Sequence, residues 1–485
     1  MPKELKSKPL VDLITQYRGF IGIALVVILA SVLRLSQLGY SHFYGDEIKT
    51  LYLDKTIPAV NFFLDQRKGP MQFVVVWVIE KLFGGFDEFW VRLPFAIASI
   101  VSIFVFYLLL QKLFNNNLVA LVSSSLFAFN GFYIAFGRTA QYQSFYILLG
   151  LLAFYFLARA LKDIKSNLFF YFLSGLSLGL AFLSHYDAVF FLVPMVVYYV
   201  TYSWGKFNLR QIVSFLLPFL VITMSFYIPY TLSGYFDENT VGYISKRIVG
   251  KNYAINDSLY TISIYNPLYT FIIFLLFVPF SLKSFSVKNL FLLVWLVLPL
   301  IVFEGIFQNP GTHIHNYVIP LIVFVGIGIS SFIDKLKFVG CTVIAILFFY
   351  VLVVQSVIFI PGFSMGYPYK DTTLYGITLS AANTDKHLFL YGFPYYRGWD
   401  KISAYVKSNR DFSSYYTNED TDISSYYLLG LPVTPPGSNF LPKYYIYIQD
   451  SQVFNLPSAG WIFSYEIIEY IDLGKEGFAK ILRRL

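Results

Sequence analysis

The stretch Phe20–Leu38, FIGIALVVILASVLRLSQL, followed at positions 39–55 by GYSHFYGDEIKTLYLDK, decides how the whole chain is read. Its first part is an apolar run of roughly the 20 residues a helix needs to cross a bilayer core. Its second part carries adjacent carboxylates, Asp46 and Glu47, in a loop that starts where the span ends. The basic segment Met1–Gly19, with Lys3, Lys6, Lys8 and Arg18, precedes the span. No small-residue cleavage site follows it, so the segment reads as a cytoplasmic N-terminus ahead of a retained signal anchor.

Composition agrees with that reading over the full length. Of 485 residues, 57% are hydrophobic and only 13% charged, and the mean hydropathy is +0.61, which excludes an ordinary soluble globular domain. The net charge of +8 is scattered in small groups between apolar runs instead of gathered in one stripe, so nucleic acid is not the expected partner. The single cysteine, Cys341, lies in an apolar run. That rules out an intrachain disulfide framework, and no Cys/His spacing resembles a zinc site.

Further apolar runs recur at Val91–Leu110, Leu118–Phe136, Ser144–Leu161, Leu168–Ser184, Ala188–Tyr202, Ile212–Tyr230, Pro267–Leu282, Leu290–Phe307, Tyr317–Ile333 and Phe338–Ile360. Together with the first they predict a polytopic α-helical membrane protein of about 11 transmembrane helices. With the N-terminus in the cytoplasm, Lys112, Lys162 with Lys165, Lys206 with Arg210, Lys283 with Lys288, and Lys335 with Lys337 all fall in short cytoplasmic loops, as the positive-inside rule requires. Met71–Phe83 is apolar but too short to cross. Read as a helix lying in the outer interface, it makes residues 39–90 the first extracytoplasmic loop. The transmembrane domain then spans 20–360, and residues 361–485, where Pro and Gly rise, form a soluble extracytoplasmic α/β domain. In that domain Gly398–Ser408 has the pattern of an amphipathic helix, and Lys443–Gln449 and Ser464–Leu473 have that of strands.

This topology collects Arg34, Asp46, Glu47, Lys68, Arg92, Arg138, Gln141, His185, Asp187, Glu304, His313 and His315 at the outer ends of the spans. Charged groups near membrane depth need partners or water, although Arg34 could simply snorkel to headgroups. Cations and a carboxylate beside a bilayer suit transfer of a group from a lipid phosphate to a hydroxyl or amine. The carboxylate takes the proton of the nucleophile, and Lys or Arg stabilises the departing phosphate.

The residues also carry a family resemblance. Arg34-Leu35, Phe43-Tyr44-Gly45-Asp46-Glu47, Lys68-Gly69-Pro70, Phe83-Gly84 and Arg92-Leu93-Pro94, in that order, resemble the N-terminal signature of the GT-C membrane glycosyltransferases, and within them the protein O-mannosyltransferase and lipid A aminoarabinose transferase branches. Gly137–Tyr142 and Leu183-Ser184-His185-Tyr186 are similar to later motifs of bacterial members. The resemblance covers roughly residues 20–335. It implies a polyprenyl-phosphate-linked sugar donor, Asp46 as the catalytic carboxylate and Lys68 near the donor phosphate. With the topology above, the expected reaction is a single, inverting displacement to a lipid, glycan or protein acceptor at the outer face of the cell membrane, with Asp46 and Glu47 as base and orienter. Arg34, Arg92, Arg138, Gln141, His185, Tyr186, Glu304 and His315 are the further candidate substrate-binding residues. Relatives often have His-Pro-Pro in place of Lys68-Gly69-Pro70, an arginine in place of Gln141, and an Arg-Tyr pair in place of Asn316-Tyr317. No Asp-x-Asp motif follows Arg138, so neither a metal nor another cofactor is expected. The competing readings are a transporter or flippase of polyprenyl-linked lipids, which predicts charge through the middle of the spans, and a scaffold displaying the C-terminal domain, which gives Asp46, Glu47 and Lys68 no task.

Overall fold

A computed structural model describes residues 10–162, 167–204, 207–238, 240–242, 245, 258–282, 286–307, 311–363, 366–374, 376–383, 390–435, 441–449, 451, 463–474 and 477–485. Lys3, Lys6, Lys8, Lys165, Lys206 and Lys283 lie outside these residues.

The protein is mostly helical, with a C-terminal sheet domain. The first helix, α1 (Leu10–Leu35), shows why the bundle belongs in a membrane. Ile23, Val26, Ala30 and Leu33, at helical spacing, are buried against neighbouring helices, while Phe20, Leu25 and Ile28 on the other face are exposed. A helix that is apolar all round and still half exposed requires lipid on the outside.

Two short helices, α2 (Asp46–Lys49) and α3 (Ala59–Leu64), follow in the first loop, and then α4 (Met71–Phe83). The 13 residues of α4 span about 20 Å at 1.5 Å per residue, well short of the ~30 Å core. Gly84, with φ of 74°, stops it. The long helix α5 (Glu88–Phe114) starts where Asp87 accepts hydrogen bonds from the amides of Phe89 and Trp90 at 3.0 and 3.1 Å.

The expected continuous span Leu118–Phe136 is instead two helices, α6 (Asn117–Phe129) and α7 (Gly131–Phe136). Asn130 breaks it: its backbone is extended, and its side chain caps α7 by accepting from the Phe132 amide. The freed Gly131 amide donates to Asn266 Oδ1 at 2.9 Å.

The bundle continues with α8 (Gln143–Lys162), α9 (Asn167–Ser184), α10 (Val189–Ser203) and α11 (Leu209–Leu232). Then come α12 (Ser258–Tyr265), the irregular segment 266–277, α13 (Val278–Ser281), α14 (Leu290–Leu300) and α15 (His315–Phe359). The 45 residues of α15 are two helices folded at Lys337, where φ is 49°. This is the turn at which the sequence separates two spans. Five described helical segments qualify as spans by length and composition, and several apolar helices are shorter; the expected count of about eleven goes beyond that.

The C-terminal residues form a four-stranded sheet. With a small hairpin, β1 (Thr372–Leu374) and β2 (Ile377–Leu379), ahead of it, its strands are β3 (Tyr415–Thr417), β4 (Tyr444–Ile448), β5 (Tyr465–Asp472) and β6 (Phe478–Arg484). The order is β3-β4-β6-β5, with β3 parallel to β4 and the other pairs antiparallel. Two helices, α16 (Trp399–Ser408) and α17 (Thr421–Tyr427), pack together beside it. The expected helix and both expected strands are present. The domain is pinned to the first loop: the Tyr427 hydroxyl accepts from the Phe43 amide at 2.8 Å, His42 lies 3.3 Å from Asp400, and the Arg397 guanidinium sits over the Tyr44 ring.

Candidate active site

Asp46 and Glu47 are neighbours in sequence and opposites in environment. Glu47 is 1% exposed. Both its oxygens accept from Arg92, at 2.8 Å each, and it accepts further from the backbone amides of Ala140 at 2.9 Å and Tyr44 at 3.2 Å. This is a bidentate, fully satisfied buried ion pair. Arg92 uses its remaining donors on the carbonyls of Leu38, Ser41 and His42.

Two more buried arginines extend the clamp. Arg138 donates to the carbonyls of Leu33, Arg34 and Ser36, satisfying the end of α1, where orphan carbonyls otherwise need partners. Arg34 donates to Ser99 Oγ at 2.9 Å and to the carbonyls of Ala30 and Ala128. Arg34, Arg92 and Arg138 therefore gather at one end of the bundle, as expected, but their hydrogen bonds run to protein acceptors that fix α1, α5, α6 and the first loop together.

Asp46 points the other way. It is about half exposed and lines a polar cavity of about 310 Å³ with Lys49, Asp65, Gln66, Arg67, Lys68, Gly69, Gln72, Phe73, Gln141, Tyr142 and Ser184. Two backbone features shape this arrangement. Gly45, with φ of 54°, turns the chain into α2, so that successive side chains face core and cavity. Gly69, with φ of 117°, presses the 65–70 loop onto the end of α9, where a Cβ would come within 2.2 Å of the Leu183 carbonyl oxygen. Only glycine tolerates that approach, and it seats Lys68 in the cavity immediately before α4. The Lys68 ammonium lies 5.7 Å from the Tyr142 ring centroid, within cation–π range.

Lys49 pairs with Asp46 at 3.0 Å. Partial burial acts against its charge, but the Asp46 carboxylate outweighs that and holds the ammonium above its ordinary pKa. Gln141 is buried at the cavity edge, with its side chain beside the Tyr391 hydroxyl.

A second cluster lies behind the Tyr142 ring. His185 stacks on Tyr142 at 4.0 Å between centroids, and beyond it Asp187 Oδ2 is 2.6 Å from His313 Nδ1 and 3.5 Å from His315 Nε2. Its own Oδ1 is 3.1 Å from His185 Nδ1. This is the group among the described residues whose atoms could hold a metal ion. Tyr186 is partly exposed and lines, with Asp187 and His313, an apolar groove of about 510 Å³. Glu304 is elsewhere: it accepts from Tyr317 and Ser258 hydroxyls at 2.6 Å and does not line the polar cavity.

The sequence reading did not single out Lys49, or the part played by the C-terminal domain. Tyr391 abuts Gly45, and a Cβ on Gly392 would meet the Ala135 carbonyl at 2.0 Å, so this domain closes over the loop that carries Asp46. The paired Gly392 and Gly45 hold no local signal of that contact. Lys49 had one, since Asp46 and Lys49 stand at i,i+3 spacing.

Residues 67–231 match the model of the dolichyl-phosphate-mannose-protein mannosyltransferase family. No curated protein sequence matches the chain. Among solved structures, ArnT from Cupriavidus metallidurans bound to undecaprenyl phosphate superposes with a TM-score of 0.58 at 11% identity, over 95% of this chain and 97% of that one. The archaeal oligosaccharyltransferase AglB from Archaeoglobus fulgidus, in complex with an inhibitory peptide and a dolichol-phosphate, gives 0.55 at 11%, over 90% and 70%. The arabinofuranosyltransferase AftD from Mycobacteria gives 0.53 at 10%, over 97% and 40%. All are GT-C glycosyltransferases, so the resemblance read from the motifs holds at the level of fold.

Proposed function

We propose that this chain, with the fold of the GT-C membrane glycosyltransferases, moves a sugar from a polyprenyl-phosphate donor to an acceptor at the outer face of the cell membrane. The observation that carries the proposal is the meeting of Asp46 and Lys68 in one polar cavity at the end of the bundle, beside the short helix α4. A lipid phosphate entering from the bilayer surface reaches Lys68 at headgroup depth.

In the reaction, an acceptor hydroxyl or amine attacks the anomeric carbon from the face opposite the phosphate. The carbon–oxygen bond to the phosphate breaks with its electron pair going to the phosphate, and the proton of the nucleophile passes to Asp46. Lys68 stabilises the departing polyprenyl phosphate. One displacement inverts the anomeric configuration. Gln141, at the cavity edge, is placed to contact the donor or its phosphate, and Tyr142 forms the wall against which the sugar lies. Arg92, Arg138 and Arg34, the last with its Nη2 unpartnered among the described residues, act as positioning residues for α1 and the first loop. His185 supports the Tyr142 wall, while Tyr186 and His315 border the groove and the histidine cluster; Glu304 has no contact with the cavity.

Transfer of label from a polyprenyl-phosphate sugar to acceptor by the purified chain tests the reaction, and lipid movement across a bilayer without transfer would replace it with a flippase. Sidedness is tested separately by cysteine labelling. In a Cys341→Ser background, exposed Thr56→Cys and Ser408→Cys should react with an impermeant reagent on intact cells. Labelling only after permeabilisation would place the site and the C-terminal domain on the cytoplasmic side.

A further inference from the structure

We propose that His185, Asp187 and His313, with His315 as a fourth ligand, bind a divalent transition-metal ion of the Zn²⁺ class. The residues come as two short pairs, His185-x-Asp187 and His313-x-His315, more than a hundred positions apart. The fold sets them at the end of α9 and the start of α15, and all four are buried.

Proton placement argues for a cation. His315 Nδ1 lies 2.6 Å from the Thr312 carbonyl and so must be the donor; in the neutral ring Nε2 then carries a lone pair. Among the described residues, that Nε2 has no hydrogen-bond partner, and it stands 3.5 Å from Asp187 Oδ2, itself an acceptor. His185 Nδ1 accepts the Asp187 amide at 3.1 Å, so it too is unprotonated, and it lies 3.1 Å from Asp187 Oδ1. Two imidazole lone pairs thus converge on one buried carboxylate, an arrangement that repels itself unless a positive charge sits among them. A metal ion would exchange the His185–amide contact for a metal–nitrogen bond.

The spacing fits. Ligand atoms of His185, Asp187 and His313 all lie within 4.8 Å of one another, and the closest pair, His313 Nδ1 and Asp187 Oδ2, is at 2.6 Å. Tetrahedral co-ligands at zinc bond lengths of 2.0–2.2 Å are about 3.4 Å apart, so an ion would take the place of the proton between His313 Nδ1 and Asp187 Oδ2 and widen that contact. Imidazole and carboxylate donors without thiolate suit Zn²⁺, Mn²⁺, Fe²⁺ or Co²⁺. Outer partners are also present: Asn316 Nδ2 donates to Asp187 Oδ2 at 2.9 Å, and the Thr312 carbonyl fixes the His315 tautomer, as at most protein metal centres. An ion here would lock α9 to α15 and hold the His185 ring against Tyr142, the wall of the Lys68 cavity.

The test uses the full chain in detergent, stripped with a chelator, reloaded with Zn²⁺ and desalted. The expected result is about one zinc per chain by elemental analysis and a higher unfolding temperature with zinc than without. His313→Gln and His315→Gln should lose the bound zinc while His42→Gln, remote from the cluster, keeps it. X-ray absorption at the zinc edge of the unmutated protein, which needs no variant to fold, should show nitrogen and oxygen near 2.0–2.1 Å with imidazole scattering. Failure of the unmutated chain to retain Zn²⁺, Mn²⁺, Fe²⁺ or Co²⁺, retention of zinc by both variants, or a spectrum without imidazole would overturn the proposal. None of these readouts depends on glycosyl transfer.

Discussion

Glu47 and Asp46 belong to two regions that meet at a peptide bond and follow different physics. The region around Glu47 is a closed clamp in which one carboxylate and the Arg92 guanidinium satisfy each other in the protein interior. The region around Asp46 is an open polar cavity of about 310 Å³ that Asp46, Lys49 and Lys68 all line. A buried pair contributes rigidity and does not react, because its lone pairs are already used. The exposed one meets Lys49 and opens onto the cavity. Adjacent carboxylates that a sequence presents as a catalytic pair thus divide into one buried and fully bonded and one facing the cavity.

The division can be broken from the clamp side. Arg92→Met leaves Glu47 buried without its partner, and loss of one partner of a buried ion pair costs about 3–5 kcal/mol. We expect a large fall in thermal stability and in yield of folded protein. An unchanged unfolding temperature would mean that the clamp does not hold the loop.

From the cavity side, Lys68→Met should leave stability unchanged and weaken binding of polyprenyl phosphate. A lost charge-assisted hydrogen bond is worth about 1.5–3 kcal/mol, or roughly a ten- to hundredfold rise in Kd. Lys68→Arg should restore only part, since a planar fork does not reproduce a point charge. Arg67→Met is the comparison: equal small losses for both would reduce Lys68 to a headgroup anchor.

The smallest effect is expected at Lys49→Met. Its exposed pair with Asp46 is worth about 0–1 kcal/mol to stability, so the unfolding temperature should hardly move. A drop as large as that of Arg92→Met would show that the Asp46 side is also frame.

Much of this was legible in the sequence. The apolar runs marked the bundle because a bilayer imposes a length that short soluble helices do not share, and Lys335-x-Lys337 marked the fold in α15. Met71–Phe83 was recognised as too short to cross by the same rule. Asn130 was not recognised as a break, since a single amide inside an apolar run carries no length signal and its role depends on Asn266, more than a hundred residues away. At the site, the residue types were legible and their directions were not. Arg34, Arg92 and Arg138 read as candidate substrate-binding residues because charge at membrane depth suggests function. That they end mostly on backbone carbonyls follows from the packing of α1, α5, α6 and the first loop, which composition does not encode. Lys68-Gly69-Pro70 was visible as a motif, but the need for glycine comes from the Leu183 carbonyl on a distant helix.

The central claim is that Asp46 is the base and Glu47 the frame, and it is tested most directly by the transfer rate per folded molecule of Asp46→Asn, measured beside its unfolding temperature. Asparagine keeps the shape and loses the proton acceptor, so transfer should fall by about a hundred- to ten-thousandfold with the unfolding temperature unchanged. Near-normal transfer by a folded Asp46→Asn protein would contradict the account and move the base elsewhere.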